Sequence, residues 1–337
     1  MKILVTGGTG YIGSHTVVEL QQEGFEVVIA DNLSNSNIGA LDGIERITGQ
    51  RPLFARVDLT DAATTRELFA NHRDTRAIIH FAALKAVGES VEKPLEYYAN
   101  NLNSLINVVA GAREFGVPGL VFSSSCTVYG QAETLPVTES TPRRAAESPY
   151  GNTKMMCEDI LKDVARVEPR LNIIALRYFN PIGAHPSAAI GELPVGVPNN
   201  LIPFLTQVAA GIRDELRVFG DDYNTPDGSA VRDYIDVVDL ARAHVVSIRR
   251  LLEGKNARNH EYFNIGTGRG LSVLEIIRAF ERATGVPVNY RIVERRPGDI
   301  EKVWADTTLA NKTLGWKATT PIEETLRNAW RWQQSLR

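Results

Sequence analysis

Thr6-Gly7-Gly8-Thr9-Gly10-Tyr11-Ile12-Gly13 is the stretch that decides the fold of this chain. It follows the apolar run Ile3-Leu4-Val5 and precedes a helical segment, so its glycines lie at a strand-to-helix turn. Glycine permits positive φ and close backbone approach, and a diphosphate can rest on the positive end of the following helix. The spacing also fits a turn that serves only packing. We predict a dinucleotide site formed by Gly7, Gly10, Tyr11, Ile12 and Gly13.

An acidic residue at the end of the next strand strengthens this prediction. Asp31 lies 18 residues beyond Gly13, where a carboxylate accepts hydrogen bonds from the adenosine ribose. A carboxylate there repels a 2′-phosphate, so NAD is favoured over NADP. Asp31 also fits a solvated turn acid or the cap of the following segment.

Short apolar strands alternate with helical stretches through the first half of the chain. Strands separated by helices predict βαβ units and a buried parallel sheet with right-handed crossovers. The predicted fold class is therefore α/β, a doubly wound Rossmann-type sheet with a smaller C-terminal lobe. The strand segments are Ile3–Thr6, Glu26–Ala30, Leu53–Val57, Ala77–Phe81, Leu120–Ser123 and Asn172–Arg177, and the helical segments are Ile12–Glu23, Thr64–His72, Leu95–Phe115 and Tyr150–Arg166.

The chain changes character after Phe179. Residues 181–200 are rich in proline and glycine and predict a long loop, and such loops in compact domains are often functional. Tyr262–Ile265 is expected to rejoin the sheet. We predict a cofactor lobe of residues 1–180 with 237–266, and a substrate lobe of residues 181–236 and 267–337. The other predicted elements are helices at Leu201–Ile212, Val237–Leu252, Val273–Thr284 and Ile322–Gln333 and strands at Leu216–Phe219 and Arg232–Ile235.

The composition is that of an ordinary soluble protein, with 43% hydrophobic and 23% charged residues among 337. A net charge of −3 implies no broad attraction to nucleic acid or to a membrane surface. The two cysteines, Cys126 and Cys157, form neither a disulfide framework nor a four-ligand zinc site, so we expect no metal and a cytoplasmic location. The sequence shows no signal-peptide pattern and no apolar run of about 20 residues.

Tyr150 and Lys154, spaced as Tyr-x-x-x-Lys, predict chemistry on an alcohol. They are one helical turn apart and share a face. A free phenol has a pKa of about 10. We expect the Lys154 ammonium and a positive nicotinamide ring to lower it, so that Tyr150 takes a proton while the cofactor takes a hydride. Ser125 is placed to hydrogen-bond the reacting hydroxyl. The alternative is a surface Tyr–Lys pair, and the position after the fifth strand argues against it.

Two further strand ends have polar residues. Asp58 ends the third strand, where the adenine would lie, and it fits a cap of the following helix almost equally well. His80 ends the fourth strand and is expected to be a buried strand residue rather than a ligand. Small residues after His80 leave room for a cofactor at this edge of the sheet.

Several longer segments make the chain resemble the extended short-chain dehydrogenase/reductase family, and within it enzymes that epimerise UDP-sugars at C4. The resemblance runs from Met1 to about Trp332. It implies oxidation of the sugar 4-hydroxyl with NAD, return of the hydride to the opposite face, and interconversion of UDP-glucose and UDP-galactose. The segments on which it rests are Leu84–Ser90, Pro94–Tyr98, Arg177–Pro181, Pro198–Leu201, Val231–Ile235 and Trp304–Asp306.

The resemblance also implies roles for individual residues. Tyr150 would act on the 4-hydroxyl, Ser125 would assist the proton transfer, and Lys154 would tune Tyr150 and bind the nicotinamide ribose. Planar, always-charged arginines suit a diphosphate, although without the resemblance surface ion pairs would be preferred. Further cofactor contacts would come from Asp31, Asn32, Asp58, Lys85, Asn100 and Phe179, and the UDP group would be held by Asn180, Asn200, Leu201, Arg232, Arg296 and Asp299, with Leu216 and Phe219 beside the uracil.

Val303 lies at a position that, by the resemblance, varies among related enzymes with their acceptance of N-acetylated sugars, a bulky tyrosine there narrowing the site. The missing ring predicts that UDP-N-acetylglucosamine and UDP-N-acetylgalactosamine are also accepted. The alternative is that neighbouring side chains refill the space, since cores conserve their volume.

Two other functions stay open. A nucleotide-sugar 4,6-dehydratase or decarboxylase uses the same scaffold, but the dehydratase needs an acid–base pair after Ser125, where this chain has Cys126-Thr127. A non-catalytic NAD-sensing protein tends to lose the Tyr–Lys pair, which is kept here. In the family, the helices Leu95–Phe115 and Tyr150–Arg166 form a dimer contact, so a homodimer is expected, although their apolar residues also fit the chain's own sheet.

Overall fold

The computed structural model describes residues 1–296 and 299–336. Within these ranges the strands are β1 (Lys2–Thr6), β2 (Glu26–Asp31), β3 (Leu53–Arg56), β4 (Thr75–His80), β5 (Gly119–Ser125), β6 (Asn172–Tyr178), β7 (Asn180–Ile182), β8 (Leu216–Phe219), β9 (Val231–Asp236), β10 (His260–Ile265), β11 (Gly270–Ser272), β12 (Tyr290–Val293) and β13 (Lys302–Val303). The α-helices are α1 (Tyr11–Gln22), α2 (Ala40–Thr48), α3 (Ala62–Asn71), α4 (Val87–Glu92), α5 (Pro94–Phe115), α6 (Pro149–Val167), α7 (Leu201–Ala209), α8 (Val237–Leu252), α9 (Val273–Thr284), α10 (Thr308–Leu314) and α11 (Ile322–Ser335).

A seven-stranded parallel sheet forms the centre of the larger lobe, in the order β10-β6-β5-β4-β1-β2-β3. Strands in a sheet covered on both faces are near-continuous apolar runs, and Ile3, Leu4 and Val5 of β1 are all fully buried. The order reverses direction beside β1, which opens a crevice at the carboxyl ends of the strands. The predicted fold class is confirmed, and β10 rejoins the sheet beside β6 as expected.

Two hydrophobic cores cover the faces of this sheet. On one face, α1, α2 and α8 contribute the apolar side chains. On the other face, α3, α5 and α6 do so, including Leu161 and Cys157 of α6. Ala310 of α10 and the nearby Trp316 also pack into the first core, and the Trp316 indole donates to the Asp239 carbonyl at 3.0 Å. The segment predicted for the substrate lobe therefore contributes to the core of the larger lobe.

The smaller lobe has its own core and its own short sheets. β9 pairs with β7, β11 and β13, and β8 pairs with β12. α7, α9 and α11 pack over these strands around Leu205, Ile276 and Leu326. This lobe places β7 and β9 next to the carboxyl edge of the larger sheet, because β7 begins two residues after β6 ends.

A fourth hydrophobic cluster joins the two lobes. Val128, Tyr129 and Val137, which follow β5 in the chain, pack with Phe179 and Val303. The backbone of Val137 forms a bridge with the smaller lobe, since its N–H donates to the Trp304 carbonyl at 3.0 Å and its carbonyl accepts from the Asp306 N–H at 2.7 Å. The lobes are thus fastened to each other beside the crevice.

Three helices and several short strands differ from the sequence prediction. α2, α4 and α10 are not among the predicted helices, and the helix predicted at Leu201–Ile212 ends at Ala209. α4 has six residues and β13 has two, which is too short for a periodic pattern to show. The other boundaries agree within about three residues, as is usual for helix and strand ends.

Candidate active site

A cleft of about 970 Å³ runs along the carboxyl ends of the central strands and under the loop that follows β7. The fold brings together there most of the residues that the sequence predicted for a cofactor and a reacting alcohol. These are Gly7, Gly10, Tyr11, Ile12, Gly13, Asp31, Asn32, Asp58, Lys85, Asn100, Ser125, Tyr150, Lys154, Phe179, Asn180 and Asn200.

The glycine turn is closed as tightly as its sequence predicts. Gly7 has a φ of +69°, and a Cβ there would lie 2.8 Å from the Ala82 nitrogen. A Cβ on Gly13 would lie 2.3 Å from the Gly7 carbonyl oxygen. α1 then begins at Tyr11 with no side-chain cap and no acidic residue in its first turn. Its positive end is therefore left for an anion, so the turn fits the diphosphate of a dinucleotide.

Asp31 lies on the wall of the cleft beside this turn. Its carboxylate accepts from the Thr9 N–H at 3.3 Å, the Leu33 N–H at 2.9 Å and the Ser36 hydroxyl at 3.0 Å. It thus ties the glycine turn to the loop after β2. Asp31 therefore makes the contacts expected of a turn acid. It also lines the cleft in which the cofactor is predicted to bind.

Asp58 is not the cap of the following helix. Asp61 caps α3 by accepting from the Thr64 N–H at 2.8 Å, whereas Asp58 accepts from the Thr60 N–H and hydroxyl. Asp58 remains on the cleft wall, where the adenine was expected. His80 is buried and bonds the Thr6 hydroxyl at 2.8 Å, as predicted for a strand residue.

The reacting pair lies at the first turns of α6. Burial raises the pKa of Tyr150 well above its usual range, Tyr178 adds to this rise, and a hydrogen bond with Ser125 acts in the opposite direction. The groups of the protein therefore raise this pKa, and the lowering expected from Lys154 together with a nicotinamide ring stays a prediction. Desolvation outweighs the hydrogen bond with Ser125 because protein groups surround the phenol.

Lys154 is buried, with 4% of its surface exposed. Its ammonium donates to the Ser123 carbonyl at 2.6 Å and lies 5.9 Å from the centroid of the Tyr150 ring. Burial lowers the pKa of Lys154 to about 8, and Cys157 and Glu158 act against this shift. At neutral pH the ammonium therefore stays mostly charged beside the phenol.

The charged residues predicted for the diphosphate, Arg232, Arg296 and Asp299, form a separate cluster on the smaller lobe. The Arg296 guanidinium donates to Asp299 at 2.8 Å, Arg232 approaches the same carboxylate at 3.9 Å, and Arg296 lies 5.4 Å from the Phe219 ring centroid. Arg232 is close enough to the cleft to lower the pKa of Cys126, which burial raises to about 12. This cluster adjoins the cleft without lining it.

Two of the apolar residues predicted for the substrate are buried. Leu216 is 3% exposed in the core of the smaller lobe, and Val303 is 3% exposed in the cluster between the lobes. The Leu216 side chain therefore packs against the core and leaves only its backbone for a ligand. Leu201 is half-buried at the start of α7.

A buried polar network behind the reacting pair was not predicted. The Arg177 guanidinium binds the Glu158 carboxylate through two bonds of 2.8 and 2.6 Å, and the Ser124 hydroxyl donates to Glu158 at 2.6 Å. Arg177 also donates to the Tyr129 hydroxyl at 3.0 Å. Glu158 follows Lys154 by one helical turn, and that spacing is the signal from which the network could have been found.

Neither a metal centre nor a membrane segment is found in the part of the chain that the structure describes. No group of three or more histidine, cysteine or acidic side chains in residues 1–296 and 299–336 is arranged to hold a metal ion. Within the same ranges, each helix is too short or too polar to cross a bilayer.

A doubly wound sheet with a glycine turn and a Tyr-x-x-x-Lys pair at its carboxyl edge defines the short-chain dehydrogenase/reductase class. The sequence model of the family described as GDP-mannose 4,6 dehydratase matches residues 4–329. The UDP-glucose 4-epimerase of Bacillus subtilis is 50% identical over 335 residues, which cover 99% of this chain and 97% of that protein.

Solved structures give the same result. The UDP-glucose-4-epimerase of Stenotrophomonas maltophila, with bound NAD and formylated UDP-arabinopyranose, is 49% identical with a TM-score of 0.96, covering 100% of this chain and 98% of that one. The enzyme of Bifidobacterium longum, in complex with NAD+ and UDP, is 46% identical with a TM-score of 0.95, covering 99% and 98%. The chain belongs to the UDP-glucose 4-epimerase family of extended short-chain dehydrogenase/reductases.

We predict that Glu158→Gln destabilises the protein by about 3–5 kcal/mol, because it leaves the Arg177 charge buried without its partner. Urea unfolding measures the change. The matched control is Asp163→Asn on the same helix, which removes an exposed ion pair with Arg166 and should change stability by less than about 0.5 kcal/mol. Equal effects of the two substitutions would contradict the structural role of the buried pair.

Proposed function

We propose that the protein interconverts UDP-glucose and UDP-galactose by NAD-dependent epimerisation at C4. The observation on which this rests is the meeting of Tyr150, Lys154 and Ser125 in one cleft with a glycine turn suited to a dinucleotide. Relatives that are about half identical over the whole chain have this activity in their names. The Cys126-Thr127 pair after Ser125 gives the dehydratase alternative no acid–base pair.

The mechanism assigns a task to each residue of the cleft. NAD, which the glycine turn and Asp31 would hold on the wall of the cleft, would supply a hydride acceptor and a positive charge. The Tyr150 phenol oxygen takes the proton of the sugar 4-hydroxyl and later gives it back. Ser125 bonds the phenol and steadies the same hydroxyl. Lys154, fixed to the Ser123 carbonyl, contributes an ammonium that favours the phenolate form.

Inversion requires that the oxidised sugar presents its other face before the hydride returns. The groups assigned to the UDP moiety therefore hold the nucleotide end firmly and leave the sugar free to turn. Arg232 and Arg296 supply charged donors for the diphosphate, and Phe219 offers an apolar surface for the base. Asn180, Asn200, Leu201, Asp299 and the backbone at Leu216 complete this proposed set.

The lobes divide the two tasks. In this proposal residues 1–180 with 237–266 bind NAD, and residues 181–236 with 267–337 bind the UDP-sugar. Residues 297, 298 and 337 of the second set lie outside the described ranges. A cytoplasmic location fits Cys126 and Cys157, both of which are free thiols in the structure. Nucleic acid and membranes are not partners in this proposal.

We predict that Tyr150→Phe lowers kcat for UDP-galactose by about 10²- to 10⁴-fold, the usual contribution of a positioned acid–base group. UDP affinity should be retained. Chromatography of the UDP-sugars measures the turnover. A product with the same mass as the substrate excludes dehydration. Tyr290→Phe removes an exposed hydroxyl elsewhere and should leave the rate unchanged. Near-normal turnover of Tyr150→Phe would refute the assignment.

We further propose that the site accepts UDP-N-acetylglucosamine and UDP-N-acetylgalactosamine. Val303 packs with Phe179, which lines the cleft, and a tyrosine there would add a ring next to the sugar. Val303→Tyr should lower turnover of the N-acetylated sugars by about 10- to 200-fold, the discrimination that pocket volume provides, and spare UDP-galactose. Thermal unfolding checks that the variant is folded. Wild-type protein that turns over UDP-glucose but neither N-acetylated sugar would contradict the proposal.

We also propose that the protein is a homodimer through α5 and α6. Ile106 on α5 and Met156 on α6 are 46% and 41% exposed on adjacent helices. Ile106→Asp should convert a particle of twice the 37.1 kDa chain mass into a monomer, because a charge would enter the contact. Light scattering during gel filtration measures the mass. Leu309→Asp on α10, at the opposite face of the sheet, is the control. A monomeric wild-type protein would end this proposal.

A further inference from the structure

Glu192 lies in the loop between β7 and α7 and is held by its backbone on the wall of the cleft. The Trp332 indole on α11 donates to its carbonyl at 2.9 Å. The preceding Gly191 packs so closely on Trp332 that a Cβ would lie 2.4 Å from the indole ring. The neighbouring Ile190 is buried in the core of the larger lobe. The backbone at Glu192 is therefore fixed by both lobes.

The Glu192 side chain binds two residues that the proposed function assigns to different ligands. Its Oε1 accepts from the Asn200 amide at 2.7 Å and from the Lys85 ammonium at 3.5 Å. Asn200 was assigned to the UDP group and Lys85 to the cofactor. The Glu192 side chain is only 11% exposed, whereas the Lys85 side chain is 49% exposed. The carboxylate is thus the fixed member of the group and the ammonium the movable one.

This arrangement matters because a diphosphate needs the same donors. The Asn200 amide and the Lys85 ammonium can each serve a carboxylate or a phosphate oxygen. An arriving UDP diphosphate competes with Glu192 for Asn200, whereas Lys85 is the donor assigned to the cofactor. The diphosphate also meets the negative charge of Glu192 at short range. A held carboxylate at this place therefore opposes diphosphate binding.

We propose that Glu192 is a built-in counter-anion, which occupies Asn200 until the diphosphate of a UDP-sugar displaces it, and which thereby limits how tightly that diphosphate is held. The inference rests on the proposed function, because it takes the arriving group to be the diphosphate of a UDP-sugar. An epimerase must release its nucleotide-sugar product in every cycle, and a limit on diphosphate affinity favours that release. Glu192 acts here through other groups and is a positioning residue.

The test compares UDP binding to the purified holoenzyme and its variants by titration calorimetry at low ionic strength. Glu192→Gln keeps the acceptor for Asn200 and removes only the charge. UDP should bind about three- to thirty-fold more tightly to this variant, as expected for the loss of a like charge near the ligand, and the gain should shrink as salt is added. Glu192→Asp keeps the charge and should stay within about threefold of the wild type.

A matched control removes the same charge elsewhere on the cleft. Glu92 also lines it, and Glu92→Gln should change UDP affinity by less than about twofold, because its exposed position is screened by solvent. If Glu192→Gln does not fold, Glu192→Ala tests the same direction. A purely structural role for Glu192 predicts weaker binding with no salt dependence.

Two results would overturn the inference. Unchanged or weaker UDP binding by Glu192→Gln, with normal binding by the wild type, would refute the counter-anion alone. Failure of the wild type to bind UDP would refute the proposed function together with this inference, so the two failures are distinguishable.

Discussion

The paired contact between Arg177 and Glu158 is the interaction on which the rest of the site depends. It joins β6 to α6, the helix on which Tyr150 and Lys154 stand, and the Ser124 hydroxyl adds β5 to the same carboxylate. Buried ion pairs stabilise a structure only when their geometry is good and their remaining hydrogen-bonding groups are satisfied. Both conditions hold here, and the helix is consequently fixed against the strands that form the floor of the cleft.

Electrostatics at Tyr150 are a balance between dryness and charge. A dry environment keeps the phenol protonated, whereas a nearby positive charge would favour the phenolate. Burial by the protein raises the pKa of the phenol. The protein also fixes the Lys154 ammonium to a backbone carbonyl. Proton transfer by Tyr150 therefore depends on a positive charge next to the phenol, and a bound cofactor would add such a charge.

The sequence was sufficient to predict the large sheet and the glycine turn, because both follow from local patterns. Apolar strands alternate with helices through the first 178 residues, and Gly7 and Gly13 occupy places where no other side chain fits. The residues along the cleft were predicted mainly from the family resemblance, which assigns roles position by position.

Other features could not be read from local patterns. The contacts of Arg177 with Glu158 and of Glu192 with Lys85 join segments that are 19 and 107 residues apart, and only the tertiary fold brings them together. The burial of the Tyr150 phenol could not be predicted for the same reason. The spacing of Tyr150 and Lys154 showed that they share a helix face, but it could not show how deeply that face is buried. Burial raises the pKa of the Tyr150 phenol and so opposes the expected shift.

The packing of Ala310 and Trp316 into the core of the larger lobe has a consequence for how the chain is made. A ribosome releases the dinucleotide-binding segments first, yet the apolar side chains that close their core arrive only after some 300 residues have been synthesised. Until then part of that core stays open to water, where exposed apolar surface favours aggregation.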